Sequence, residues 1–433
     1  MKVSKEKVRY LVFEGGGGKG VAYLGAVQAL EELGILSYVT KNRDGKETIL
    51  LDNKKIFGIS GTSVGSVTAL ILSCGYTPKE IEEILKGDIG EKLLDTVEFD
   101  KIPTVYTDKH PFYIIDDPEL ERDQLLLDKY MKEYMVADQK SFGGLLKIPG
   151  KALTELNFKF LASLFKWYVY FEARRTKDEE EVSKHEFITT VPEIVQKKTV
   201  KQAFDMIVDN PAESISSFKY EFGFFLAKAF REKVDNLIME KCGIKNCTFK
   251  QFYDFFGIDL VVAAFDVSTN QTYYFRNDEK WENLCVADAV RMSVSIPIIF
   301  KPVVFGIKNN KFTSALEDTP KSYIVDGGLG NSFPFHVFDE PGKDKLNPHV
   351  LGFNLQFYRP FTEGDTTFFG FLENIFLALL KLTTEAQFKH PEERDQAIEV
   401  ESKELGVLDF KFEELPQELI ARVKKTTLDY FKK

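Results

Sequence analysis

The sequence has too few cysteines for a disulfide framework, no basic excess, and no apolar run long enough to cross a bilayer. Its four cysteines (Cys74, Cys242, Cys247, Cys285) leave Cys242 and Cys247 without the second pair that a zinc site requires, so they read as reduced thiols. The formal charge is −10, from 57 basic and 67 acidic residues, which argues against a duplex nucleic-acid binder because such a surface needs clustered cations to displace counterions. Only Leu11–Phe13 is apolar between the charged N-terminal segment and the first glycines, too short for a signal-peptide core. The most apolar stretch, Phe368 to Leu382, is interrupted by Gly370, Glu373 and Asn374 and falls short of the roughly 18 residues of a membrane span. No internal repeat or low-complexity tract is evident. What remains is a 433-residue chain, 44% hydrophobic and 13% aromatic, able to bury a large core without staples.

Strand, turn and helix alternate at the start. Val8 to Glu14 reads as a strand, followed by a glycine turn and a helix from Val21 to Leu33. Lys55 to Ser60 reads as a buried strand, Gly61 to Gly65 as a tight turn and Ser66 to Cys74 as a helix, after which Thr77-Pro78-Lys79-Glu80 matches a capping box. Such alternation predicts an α/β fold with a largely parallel sheet. Residues 91–250 change character and read as a mainly helical insertion. Strands then resume at Leu260 to Phe265, Gln271 to Phe275 and Ser322 to Val325. Beyond Pro341 the pattern is mostly helical. The expected organisation is therefore a catalytic domain over 1–340 containing the insertion, and a C-terminal region, 341–433, packed on it.

Three short elements carry chemistry. Gly61-Thr62-Ser63-Val64-Gly65 is G-x-S-x-G, in which small flanking residues let a serine sit on a strained strand-to-helix turn with its hydroxyl free. Glu14-Gly15-Gly16-Gly17-Gly18-Lys19-Gly20 exposes backbone N–H groups between a strand and a helix. Gly16 and Gly17, with Val64, are the natural donors to an oxyanion. Gly15-x-Gly17-x-x-Gly20 is also the dinucleotide fingerprint, but Thr40 to Gly45 reads as a polar turn where that fold wants an acidic strand end. A phosphate-binding Walker loop fails because Val21 and Ala22 follow Gly20. Asp326, at a strand end before Gly327 and Gly328, is the third element; taken alone it is more simply a turn cap.

These elements, in this order, resemble the patatin-like phospholipase family, with its G-G-G-x-[KR]-G loop, its G-x-S-x-G elbow about forty residues on, and a distant D-G-[GA]. Ser293 to Pro302 is similar to the family's stretch before the aspartate strand. The resemblance implies a three-layer α/β/α sandwich and a lipid acyl hydrolase with a Ser63–Asp326 dyad, needing neither metal nor cofactor. A triad of Ser63, Asp326 and His336 is compatible with chain order and stays open. An apolar setting is expected to raise the Asp326 pKa. The implied substrate is a membrane phospholipid or other glycerolipid, with room for a protein or small-molecule activator. A binding protein that keeps the shell without turnover, or less simply a dinucleotide-dependent oxidoreductase, are the rival classes.

A lipid substrate turns attention to aromatic clusters. In Leu156 to Phe171, Phe160, Leu161, Leu164, Phe165, Tyr168 and Phe171 share a helical face, with Lys159 and Lys166 opposite and Arg174-Arg175 following. This is either an interfacial helix or a core helix of the insertion. Phe218 to Phe230 supports the same two readings. Peripheral membrane association of a cytoplasmic protein is the resulting expectation.

Overall fold

The computed structural model describes residues 2–43, 46–87, 104–105, 113–114, 222–308, 311–313, 320–342, 345–356, 368–406 and 414–432. Its strands are β1 (Tyr10–Phe13), β2 (Tyr38–Arg43), β3 (Lys46–Leu51), β4 (Gly58–Thr62), β5 (Thr104–Val105), β6 (Tyr113–Ile114), β7 (Gly223–Phe225) and β8 (Asp259–Asp266). There follow β9 (Gln271–Phe275), β10 (Ile298–Phe300), β11 (Val303–Lys308), β12 (Lys311–Thr313), β13 (Lys321–Asp326), β14 (Val350–Gln356) and β15 (Ala397–Glu401). The main sheet runs β15-β14-β1-β4-β8-β13-β11-β5-β6, and its β15-β14-β1-β4-β8 part is parallel throughout. Near-continuous apolar runs such as Leu260 to Ala264 make these strands, since a parallel strand is buried on both faces. Leu11, Phe13, Leu260 and Val262 enter the larger core, while the alternate residues Val12 and Val261 enter a second one with Phe333, Phe335 and Val350. Both faces are thereby covered, as a three-layer α/β fold requires.

The register around β8 positions the site. β4 pairs with Asp259 to Ala263, and β13 pairs antiparallel with Ala264 to Asp266. β9 occupies one side of β8 over Val262 to Asp266. A strand residue has one neighbour on each side, so β4 and β13 lie on the same side of β8 and meet end to end: Thr62 opposite Ala263, Asp326 opposite Ala264.

Two expectations need correction. The C-terminal region, expected to be mostly helical and packed on the catalytic domain, also supplies strands to the sheet itself: β14 pairs directly with β1 and β15 with β14. Val350 to Phe353 is buried without alternation, so this strand lacks the period that marks a half-exposed one. Thr40 to Arg43 is strand rather than turn, but it belongs to a hairpin with β3 outside the main sheet, so no acidic strand end stands where a dinucleotide ribose would bind. The described part of the insertion comprises β5 and β6, which extend the main sheet, and, from Phe222 on, β7 and the helix Lys228–Cys242, where Phe224, Phe225, Leu226 and Phe230 are buried core residues. The packing reading therefore holds for Phe224 to Phe230, whereas Phe222 is exposed and residues 218–221 lie outside the described residues. Leu156 to Phe171 lies outside the described residues.

Candidate active site

Ser63 occupies the turn between β4 and the helix Val64–Ser73 with φ 52 and ψ −127, a conformation that L-residues avoid. Only close packing allows such a turn. A Cβ on Gly61 would lie 2.1 Å from the Gly65 carbonyl oxygen, and one on Gly65 would lie 2.2 Å from that of Phe13, so both elbow glycines are required by backbone contact. The Ser63 N–H donates to Ser293 Oγ at 2.8 Å, and Ser66 Oγ donates to the Ser63 carbonyl at 2.6 Å. The Ser63 side chain sits at the start of a helix whose N-terminal end carries partial positive charge.

The glycine loop lies across this elbow. A Cβ on Gly15 would be 3.2 Å from Ser63 Cβ, and one on Gly20 would be 2.3 Å from Val64 Cγ2. Gly17 has φ 57, a left-handed conformation that glycine accepts at no steric cost. Gly15 N–H is spent on the Ser332 carbonyl. Among the described residues, the N–H groups of Gly16, Gly17 and Val64 have no acceptor. Lys19 belongs to the scaffold: it is 1% exposed, and its Nζ donates to the Ser402 carbonyl at 3.2 Å. Gly18 is buried beside it in the turn that leads to the helix Tyr23–Glu32.

Asp326 is fully buried at the end of β13. Its Oδ1 accepts the Gly328 N–H at 2.8 Å, while Oδ2 has no hydrogen-bond partner among the described residues. Burial pushes its pKa up to about 7, partly offset by the Gly328 N–H and by the nearby Ser63 hydroxyl. Gly327 fits against the backbone of Ala263 and the Thr62 methyl, and a Cβ there would stand 2.4 Å from the Ala263 carbonyl oxygen. Ser63, the glycine loop and Asp326-Gly327-Gly328 thus converge at one point.

His336 does not join them. Its Nδ1 faces Asp339 Oδ2 at 2.6 Å and its Nε2 faces the Gln387 carbonyl at 2.7 Å. Both ring nitrogens are engaged by acceptors away from Ser63 and Asp326, and these raise its pKa against the opposing effect of burial. His349 Nδ1 is taken by the Lys7 carbonyl.

Asn331 and Arg291 lie outside the motifs, and Glu14 and Ser293, though inside the quoted segments, have partners that the motifs do not show. Glu14, before the glycines, is buried and held well above the carboxylate range by desolvation, and it accepts from the Thr384 hydroxyl and the Leu355 N–H. Asn331 accepts the Thr62 hydroxyl on its carbonyl oxygen at 2.9 Å. Ser293, which meets the Ser63 N–H, and Arg291, two residues before it, are both buried. A charge closing an apolar strand, and a lone arginine in an apolar helix, are the only sequence signals for Glu14 and Arg291.

The profile described as patatin-like phospholipase matches residues 11–339. Among curated proteins, the chain is 37% identical over 84 residues to the uncharacterized protein YqhO of Bacillus subtilis, covering 19% of this chain and 22% of that protein. It is 26% identical over 136 residues to the uncharacterized protein R571 of Acanthamoeba polyphaga mimivirus, covering 31% and 39% respectively. The matches therefore span well under half the length of these relatives. Among solved structures, VipD from Legionella pneumophila aligns with 98% of this chain and 66% of its own, at 17% identity and a TM-score of 0.38. ExoU, solved with SpcU from the type III secretion system of Pseudomonas aeruginosa, aligns with 99% of this chain and 52% of its own, at 14% identity and a TM-score of 0.35.

Proposed function

Because the chain belongs to the patatin-like phospholipase family, we propose that it hydrolyses carboxylic esters of glycerolipids through an acyl-enzyme on Ser63, with Asp326 as general base. One observation carries this reading: a buried aspartate with an unpaired Oδ2 stands where the ends of β4 and β13 meet, beside the hydroxyl of a serine in a strained turn. Asp326 accepts the hydroxyl proton as Ser63 Oγ attacks the ester carbonyl. The tetrahedral oxyanion then faces the unengaged N–H groups of Gly16, Gly17 and Val64, each such donor contributing about 3 kcal/mol. Collapse expels the lysolipid or glycerol alcohol, which takes the proton back from Asp326. Water, giving a proton to Asp326, attacks the acyl-serine. As the second tetrahedral intermediate collapses, the Ser63 Oγ–acyl bond breaks, Asp326 returns the proton to Ser63 Oγ and the fatty acid is released. With a base titrating near 7, activity should rise through neutral pH.

Lipid reaches such a site from a surface, and the helix Phe368–Glu385 supports an approach from its side. Its buried face closes on the aspartate turn: Leu380 packs where a Gly328 side chain would be, and Thr383 Oγ1 donates to the Gly328 carbonyl at 3.0 Å. Its outer face exposes Ile375, Leu379 and Leu382 at helical spacing, with Lys381 among them, a composition suited to the headgroup boundary. No helix among the described residues is long and apolar enough to cross a membrane. The interfacial reading of the Leu156 to Phe171 face, Phe165 included, falls on residues outside the description.

The test is a hydrolysis panel of diacyl phospholipid, lysophospholipid and neutral glyceride, with wild type and Ser63→Ala side by side, repeated with cell extract in case an activator is needed. Ester cleavage that vanishes in Ser63→Ala supports the reading. Equal cleavage by both proteins, or none by either in any condition, rejects it in favour of a non-hydrolytic lipid-binding protein.

A further inference from the structure

Ser63 and Asp326 come from strands that are distant in sequence, and their relative placement needs something to hold both. The short segment Ser293 to Ser295 touches both backbones. Ser293, the last residue of the helix Val286–Ser293, accepts the Ser63 N–H on Oγ at 2.8 Å and donates the same hydroxyl to the Ala263 carbonyl at 2.6 Å. Two residues later, the Ser295 carbonyl accepts the Asp326 N–H at 2.8 Å. Ala263 is also the residue opposite Thr62 and next to the partner of Asp326, so one hydroxyl joins the elbow to the strand against which both strand ends abut.

The segment is itself fixed. Arg291, 1% exposed, donates through Nη1 to Ser295 Oγ, through Nε to the Leu226 carbonyl and through Nη2 to the Lys301 carbonyl, each at 2.8 Å. Ser295 Oγ donates to the Arg291 carbonyl at 2.7 Å. Ser293 and Ser295 are fully buried, so neither bond competes with water.

We propose that Ser293 is a positioning residue for the hydrolytic reaction: its hydroxyl holds Ser63 in the left-handed turn and sets the Ser63 hydroxyl against Asp326, within a clip whose other arm is the Ser295 carbonyl. Without it the buried Ser63 N–H loses its acceptor, and glycine packing and the Ser66 bonds to the Ser63 carbonyl alone must hold a conformation that serine otherwise avoids. Misplacement of a nucleophile by about 1 Å lowers the rate by about 10²-fold while leaving remote substrate contacts alone.

This rests on the reading of Ser63 and Asp326 above, which loss of activity in Ser63→Ala tests separately. The experiment compares wild type, Ser293→Ala, Ser293→Cys and Ser293→Thr for kcat, KM, acid-limb midpoint and Tm, with Ser73→Ala as control. Ser73 is an equally buried helix serine, bonded only to the Ala69 carbonyl. Cysteine is nearly isosteric and a weak acceptor, so it removes the hydrogen bond with little cavity. The expected result is a fall in kcat of about 10²-fold in Ser293→Ala and Ser293→Cys with KM little changed. Ser293→Thr, which retains a hydroxyl, should recover most of kcat, and Ser73→Ala should keep wild-type kcat. The acid-limb midpoint should move to higher pH in the slow variants, because the Ser63 hydroxyl that lowers the Asp326 pKa has moved away. Wild-type kcat in folded Ser293→Cys, or an equal loss in Ser73→Ala, overturns the proposal even when Ser63→Ala is inactive.

Discussion

Replacing Asp326 by asparagine should abolish turnover and, at alkaline pH, stabilise the fold. The folded carboxyl titrates near 7 instead of 3.8 because burial disfavours its charge. Between those values the folded chain binds a proton that the unfolded chain has released, so stability falls as pH rises through this window and stays reduced above it. A difference of about three units corresponds to about 4 kcal/mol. An asparagine avoids that penalty and still accepts the Gly328 N–H, but it buries an amide N–H group near the unpaired position, at a cost of about 1–3 kcal/mol. The net expectation is a gain of about 1–3 kcal/mol at pH 8. At pH 5 only about 2 kcal/mol of the penalty has developed, so the difference should shrink to about zero. Urea unfolding of wild type and Asp326→Asn at the two pH values measures this directly. A variant as destabilised at pH 8 as at pH 5 would refute the reasoning, because the carboxylate would then be a paired structural charge and not a desolvated base.

Other perturbations separate the site from its scaffold. His336→Ala should leave most esterase activity, and it should lower stability by about 1–3 kcal/mol through the lost bonds to Asp339 and the Gln387 carbonyl. Because the folded ring's pKa is raised, that loss should be larger at pH 6 than at pH 9; inactivity at unchanged Tm would instead indicate a triad. Gly65→Ala forces a methyl to 2.2 Å from the Phe13 carbonyl oxygen, so a well-folded, fully active variant would contradict the packing described for the elbow. Leu379→Gln with Leu382→Gln should reduce vesicle phospholipid hydrolysis at least tenfold and leave a soluble short-chain ester unaffected, since each apolar side chain contributes about 1.5–3 kcal/mol on burial in the interface. Equal effects on both substrates would place lipid entry elsewhere.

How far the sequence could be read depended on the range of the interactions involved. The elbow, the glycine loop and the β8–β9 hairpin were legible because each carries a local pattern: Gly61 and Gly65 on either side of Ser63, the run Gly15 to Gly20 after a strand, and the unbroken apolar run Leu260 to Phe265. β14 escaped because its pairing with β1 closes over more than three hundred residues, and nothing local marks Val350 to Gln356 as the neighbour of Tyr10 to Phe13; β15 joins the sheet only through β14. Asp326 was found through its motif, but the reason for its position, two strand ends meeting beside β8, is tertiary. Lys19 and Ser293 fall within the motif segments and Asn331 does not, but all three make bonds to groups remote in sequence that residue type alone does not show. The dinucleotide alternative was set aside on a mistaken local reading of Thr40 to Arg43, and the hairpin found there leads to the same conclusion for a topological reason.

The central claim is that Ser63 is a nucleophile activated by Asp326. Its most direct test is peptide mapping by mass spectrometry after treatment with a fluorophosphonate probe, which reports bond formation at the hydroxyl without assuming any lipid. Wild type should carry the phosphonyl adduct on the Ser63 peptide, with labelling that rises through neutral pH and falls by orders of magnitude in Asp326→Asn. An adduct on another residue, or Ser63 labelling that is equally fast in Asp326→Asn, would contradict the account.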